Sequence, residues 1–174
     1  MTGATDDIGR GMAEHEALLS VLAGHGVDFL IVGGLAVTLH GYIRATLDLD
    51  IVPSPDAGNL KRLARALREL EAEAIGARGE RLPLDTTDAE SLAVGNYFLD
   101  TKHGALDLFN GPAPDLKRYR RLDASAIRTD IAGSEVKVVS KADLLAMKRE
   151  AGRPKDLSDI AALTEVERSS PEPG

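Results

Sequence analysis

The segment from Phe29 to Val52 constrains this chain more than any other. It runs from the apolar stretch Phe29-Leu-Ile-Val32 through the pair Gly33-Gly34 and a short helix-forming stretch, Leu35 to His40, to Leu47-Asp48-Leu49-Asp50-Ile51-Val52. The pattern predicts a strand, a glycine turn, a short helix and a second strand that ends at Pro53. Acidic residues are disfavoured inside strands, yet here two of them alternate with aliphatics. Strand side chains alternate between faces, so both carboxylates leave on one face, about 6 to 7 Å apart along the strand. Like charges held that way destabilise a fold unless a cation stands between them, although an edge strand showing polar residues to water would carry the same alternation.

Around this segment the chain reads as one domain. Its 174 residues suffice for a real core. Helices are expected over Met12 to Ala23 and from Ser54-Pro55-Asp56 to Gly76, the latter with a core stripe of Leu60, Leu63, Leu67 and Leu70. Residues 77–90 show no clear period and read as loop or weak strand. Two hairpins follow, Asn96–Thr101 with Ala105–Phe109, and Ile127–Ile131 with Glu135–Val139, separated by a basic stretch from Asp115 to Leu122. Ser140 with Asp143 is a capping signature for a helix to about Glu150, and Gly152 and Pro154 separate it from a last helix over Lys155 to Arg168. The expected fold class is α/β (α+β): a mixed sheet of about five strands, helices packed on it, and a C-terminal helical pair closing a cleft. The expected domain covers residues 12–168, with a core at 27–139, a helical part at 140–168, and flexible tails at 1–11 and 169–174.

With no cysteine, disulfides and thiolate chemistry are excluded, and any metal must be held by oxygen or histidine. A formal net charge of −7 opposes broad binding to nucleic acid but leaves room for local basic clusters. Neither a membrane span nor a secretory leader is read, so a cytoplasmic location is expected.

Paired aspartates on a strand can hold hard divalent cations such as Mg²⁺, which keeps sites free for a phosphate substrate. Asp107, in Leu106-Asp107-Leu108, repeats the pattern of an acid between aliphatics, and three carboxylates converge if the two strands are neighbours. Asp107 would then accept a proton in a two-metal displacement. Asp100 sits in a similar context and is the alternative third acid. Gly33 and Gly34 allow a close backbone approach to phosphate oxygens at a helix start.

The glycine pair together with Arg44-Ala-Thr46-Leu-Asp48-Leu-Asp50 resembles the signature of the nucleotidyltransferase fold superfamily, a Gly-Gly or Gly-Ser turn, a short helix and Asp-x-Asp. Lys148-Arg-Glu-Ala151 and Arg153-Pro-Lys155-Asp156-Leu-Ser-Asp159 resemble the Lys-x-x-Ala and Arg-x-Lys-Asp-x-x-Asp blocks of small AbiEii-like nucleotidyltransferases. The resemblance spans roughly residues 27–165 and implies a minimal polymerase-beta-like core. Such a core moves a nucleoside monophosphate from an NTP to a hydroxyl, with two Mg²⁺ ions (or Mn²⁺), and releases pyrophosphate. The implied roles are triphosphate binding by Gly33 and Gly34, metal binding by Asp48, Asp50 and Asp107, and phosphate or base contact by Lys148. Arg44, Thr46 and Arg153 are further nucleotide contacts, while Lys155, Asp156 and Asp159 support. Lys148, Arg153 and Asp156 also suit helix ends for electrostatic reasons alone. The candidate acceptors are a tRNA or other RNA 3′ end and a small hydroxylated molecule such as an aminoglycoside, a cationic substrate that the acidic chain would suit. Several relatives are toxins with a cognate antitoxin. A catalytically silent, nucleotide-binding regulator is the reading from another class.

Overall fold

The computed structural model describes residues 3–169, with side chains from 9 to 166. Helix α1 covers Gly3–Gly24, β1 Phe29–Ile31, α2 Gly33–Leu39, β2 Leu49–Pro53 and α3 Ala57–Glu69. Strands β3 (Glu73–Ile75) and β4 (Arg81–Pro83) follow, then a 3-10 turn at Ala89–Ala93. Next come β5 (Asn96–Thr101), β6 (Gly104–Phe109), α4 (Leu116–Ser125), β7 (Ile127–Ile131), β8 (Ser134–Val138), α5 (Lys141–Ala151) and α6 (Pro154–Ser169).

All strands join one sheet in the order β4-β3-β5-β6-β2-β1-β8-β7. The sheet therefore has eight strands, not about five. The difference arises largely at β3 and β4, three residues each, too short for a side-chain period to show, and formed because β5 offers β3 an edge to pair with. Pairing is mixed: β2 with β6 and β1 with β8 run parallel, and the other neighbours antiparallel. Helix α1 begins at Gly3 rather than Met12, because its polar first turns lack the apolar spacing from which a start is read. Residues 1–2 and 170–174, expected to be parts of flexible tails, lie outside the described residues.

The core lies where the alternation of strand residues requires. Leu49 and Ile51 of β2, and Leu106 and Leu108 of β6, are fully buried on one face. Against them pack Leu60, Leu63, Leu67 and Leu70, the stripe expected of α3. Asp56 caps α3 by accepting from the amides of Gly58 and Asn59 at 3.0 and 3.2 Å. Ser140 likewise caps α5, accepting from the amide of Asp143 at 3.2 Å. The basic stretch after Asn110 forms α4, capped by Asp115. It is fixed to the sheet by the Tyr119 hydroxyl, which donates to Asp28 at 2.8 Å, and by Lys137, which pairs with both Asp28 and Asp123. That attachment sets the position of Arg118. No helix among the described residues is long and apolar enough to cross a membrane.

Candidate active site

Because β2 and β6 are parallel neighbours, their register puts Asp50 opposite Asp107. Asp48, one residue before β2, shares their face by the same alternation. Asp100 lies elsewhere: it is opposite Ala105, two positions along β6, and its carboxylate pairs with Arg81 of β4.

The Gly33-Gly34 turn is built against Asp50. Gly33 has φ of +61°, and a Cβ there would overlap the Asp50 carboxylate. The Gly34 amide donates to Asp50 Oδ2 at 3.1 Å, while a Cβ on Gly34 would run into Thr46 and stand 2.7 Å from the Arg44 guanidinium. The glycines are thus needed for contact with the very residues the sequence groups with them.

The acids repel each other through a half-buried space. Burial is the main cause that raises the Asp50 carboxyl; the Gly34 amide opposes it, Asp48 adds to it, and Lys155 and Lys148 oppose it. For Asp107, burial and then the charges of Asp50 and Asp48 push the carboxyl up to about 7. Both shifts identify a place where a cation would be stabilising. No three His, Asp or Glu side chains among the described residues close around a single ion. Asp50 and Asp107 offer carboxylate oxygens of the kind that hard divalent cations take.

The opposite wall comes from α5 and α6. Lys148, 5% exposed, donates to Asp159 at 2.7 Å and to Asp156 at 3.4 Å. Asp156 also accepts from Arg153 Nε at 2.7 Å, and Asp159 pairs with Arg44 Nε at 3.2 Å. Burial alone would raise the Asp156 carboxyl, but Arg153 and then Lys148 bring it below the usual carboxylate range. Asp156 and Asp159 therefore do more than favour a helix end: they fix Lys148 and tie the loop before β2 to the C-terminal helices.

A cleft of about 320 Å³ lies between these walls. Of the residues singled out from sequence, Gly33, Gly34, Arg44, Thr46, Asp48, Asp50, Asp107, Lys148, Arg153, Lys155 and Asp156 line it, and Asp159 stands behind. Sequence reasoning missed Phe98, Phe109 and Arg118, which also line it. The one available signal was Phe98 on the polar face of its strand, where an aromatic residue stands 50% exposed.

No family model and no curated protein matches this chain, but solved structures do. It superposes on a lincosamide antibiotic adenylyltransferase, LnuA, bound to lincomycin, with a TM-score of 0.57 and 17% identity, over 87% of this chain and 94% of that one. The fold is that of the nucleotidyltransferases. The antibiotic-resistance factor ANT(2'')-Ia in solution gives 0.58 at 14% identity, over 92% and 85% of the two chains. An antigenic nucleotidyltransferase-like protein from Paracoccidioides brasiliensis gives 0.52 at 21% identity, over 94% and 78%. Within this nucleotidyltransferase fold, the cleft occupies the sheet face that carries the three aspartates.

Proposed function

We propose that the protein transfers a nucleoside monophosphate from an NTP to a hydroxyl acceptor and releases pyrophosphate. The observation that carries this reading is the convergence of Asp48, Asp50 and Asp107 on one sheet face beside the Gly33-Gly34 turn. Asp48 and Asp50 would hold Mg²⁺, with Asp107 as third carboxylate. Bound there, two Mg²⁺ ions would neutralise the triphosphate and favour attack at its α-phosphorus. The Gly34 turn receives the phosphates, with Arg44, Arg153 and Lys155 as positive groups around it. Asp107 accepts the proton as the acceptor oxygen bonds to the α-phosphorus and the bond to the pyrophosphate oxygen breaks. Lys148 supports the site through Asp156 and Asp159 and reaches phosphate if those partners release it.

The acceptor is an RNA 3′ end such as that of tRNA, on the strength of the AbiEii-like blocks, which also suggest a toxin with an antitoxin partner. A small-molecule acceptor is the second reading, supported by the lincomycin of the LnuA structure and the adenylyl-2''-tobramycin held by ANT(2'')-Ia. Incubation with each α-labelled NTP, Mg²⁺ and either tRNA or candidate antibiotics tests both. Label in neither acceptor, with NTP binding intact, would leave the silent regulatory reading.

A further inference from the structure

The order of strands across the sheet separates donor from acceptor. Passing from β1 to β2, β6 and β5, the site face presents the Gly33-Gly34 turn, then Asp50, then Asp107, then Phe98. Phe98 is the antiparallel partner of Asp107, which sets their Cβ atoms about 4.5 to 5.5 Å apart. In-line displacement puts the attacking oxygen opposite the leaving pyrophosphate. With the phosphates at the glycine turn, the acceptor hydroxyl approaches Asp107 from the β5 side, over Phe98.

Phe98 is built to receive something there. It is half exposed inside a cleft, and Phe109 braces it edge-on, with ring centroids 6.3 Å apart and planes at 85°. That leaves a ring face open to stacking. The nearby charges select among acceptors. Arg81 is shared between Asp100 and Glu73, and the Arg118 guanidinium lines the cleft with no carboxylate pairing it among the described residues. Arg118 therefore offers the cleft a cation for an acceptor that carries an anionic group beside its ring.

On the nucleotidyl-transfer reading, we infer that Phe98 is the platform for the acceptor, which presents an unsaturated ring beside its attacking hydroxyl and an anion to Arg118, as the terminal nucleoside of an RNA does. The base of the donor NTP lies elsewhere in the cleft.

The chain contains no tryptophan, so Phe98→Trp creates a single fluorescent reporter at this point. The α,β-methylene analogues of the four NTPs, with Mg²⁺, serve as donor probes, and total tRNA and tobramycin as acceptor probes. We expect tRNA to quench the reporter, and the donor analogues and tobramycin to leave it unchanged. In the transfer assay, Phe98→Ala should lower kcat/KM for tRNA about ten- to hundredfold, the scale of a lost stacked base, with KM for NTP within about twofold and Phe98→Tyr near wild type. Quenching by the donor analogues alone, quenching by tobramycin, or no response to tRNA overturns the inference. Calorimetry on the unmodified protein separates the failures: donor analogues that bind without quenching leave nucleotidyl transfer standing, and analogues that do not bind at all remove both readings.

Discussion

Asp50 and Asp107 are register partners on parallel strands, so two carboxylates that share no stretch of sequence meet across one strand spacing. Their charges oppose folding unless a cation is present, and this yields a test that separates function from stability. Asp50→Asn keeps an oxygen for the Gly34 amide but removes the charge. Transfer should fall about a thousandfold or more, as when several kcal/mol of charge stabilisation are lost. In chelator the melting temperature should rise by roughly 2 to 4 °C, equivalent to about 1 kcal/mol in a domain of this size. A variant that melts lower than wild type in chelator would show the charge to be already compensated.

Gly33→Ala places a Cβ at positive φ and into the Asp50 carboxylate. The backbone strain alone costs about 1 to 2 kcal/mol, and the clash displaces a proposed metal ligand. We expect a clear loss of thermal stability together with loss of Mg²⁺-dependent NTP binding, followed by circular dichroism and calorimetry. Unchanged binding would mean that the turn does not shape the donor site.

Much of this site was legible in the sequence because local patterns express it. Alternation placed Asp48 and Asp50 on one face, and the glycines were marked by their spacing from the acids. The choice between Asp107 and Asp100 could not be read there. Both lie in one hairpin with similar neighbours, and only the pairing of β6 with β2 brings Asp107 to Asp50. The same limit hid the partners of Lys148, since an ion pair between helices leaves no periodic trace. Phe98 and Arg118 escaped because an exposed aromatic and one arginine in a basic helix acquire meaning only from the cleft they line. The short strands β3 and β4 depend on tertiary pairing rather than local preference.

Lys148 is buried between Asp156 and Asp159, so its removal should register first in stability. Lys148→Met leaves two buried carboxylates short of a counter-charge, an effect on the order of 3 to 5 kcal/mol. Lys148→Met combined with Asp159→Asn should recover part of that loss in denaturant titrations. A loss in the double variant equal to the sum of the Lys148→Met and Asp159→Asn losses would show that Lys148 and Asp159 are not coupled.

The pH dependence of the metal-free protein has a sign fixed by the site. The Asp107 carboxyl is raised from the ordinary carboxylate value to about 7, so the folded chain holds this proton more tightly than the unfolded chain. Its contribution is therefore fully present below the ordinary carboxylate range and is lost as pH rises through about 7. Asp50, also raised, has the same sign. His15 acts in the opposite sense: burial lowers its imidazole below 6.5, so its effect on stability is lost as pH falls. Above about pH 6.5 that ring is neutral when folded and mostly neutral when unfolded, which leaves the acids to dominate the site's response. In chelator the melting temperature of the wild type should therefore fall between pH 6.5 and 8, and Asp107→Asn should fall less, because groups remote from Asp107 cancel in the comparison. Mg²⁺ with an α,β-methylene NTP should reduce the wild-type decline, since bound positive charge favours the ionised carboxylates. Parallel curves for the wild type and Asp107→Asn would show that Asp107 is not a raised acid in the metal-free site.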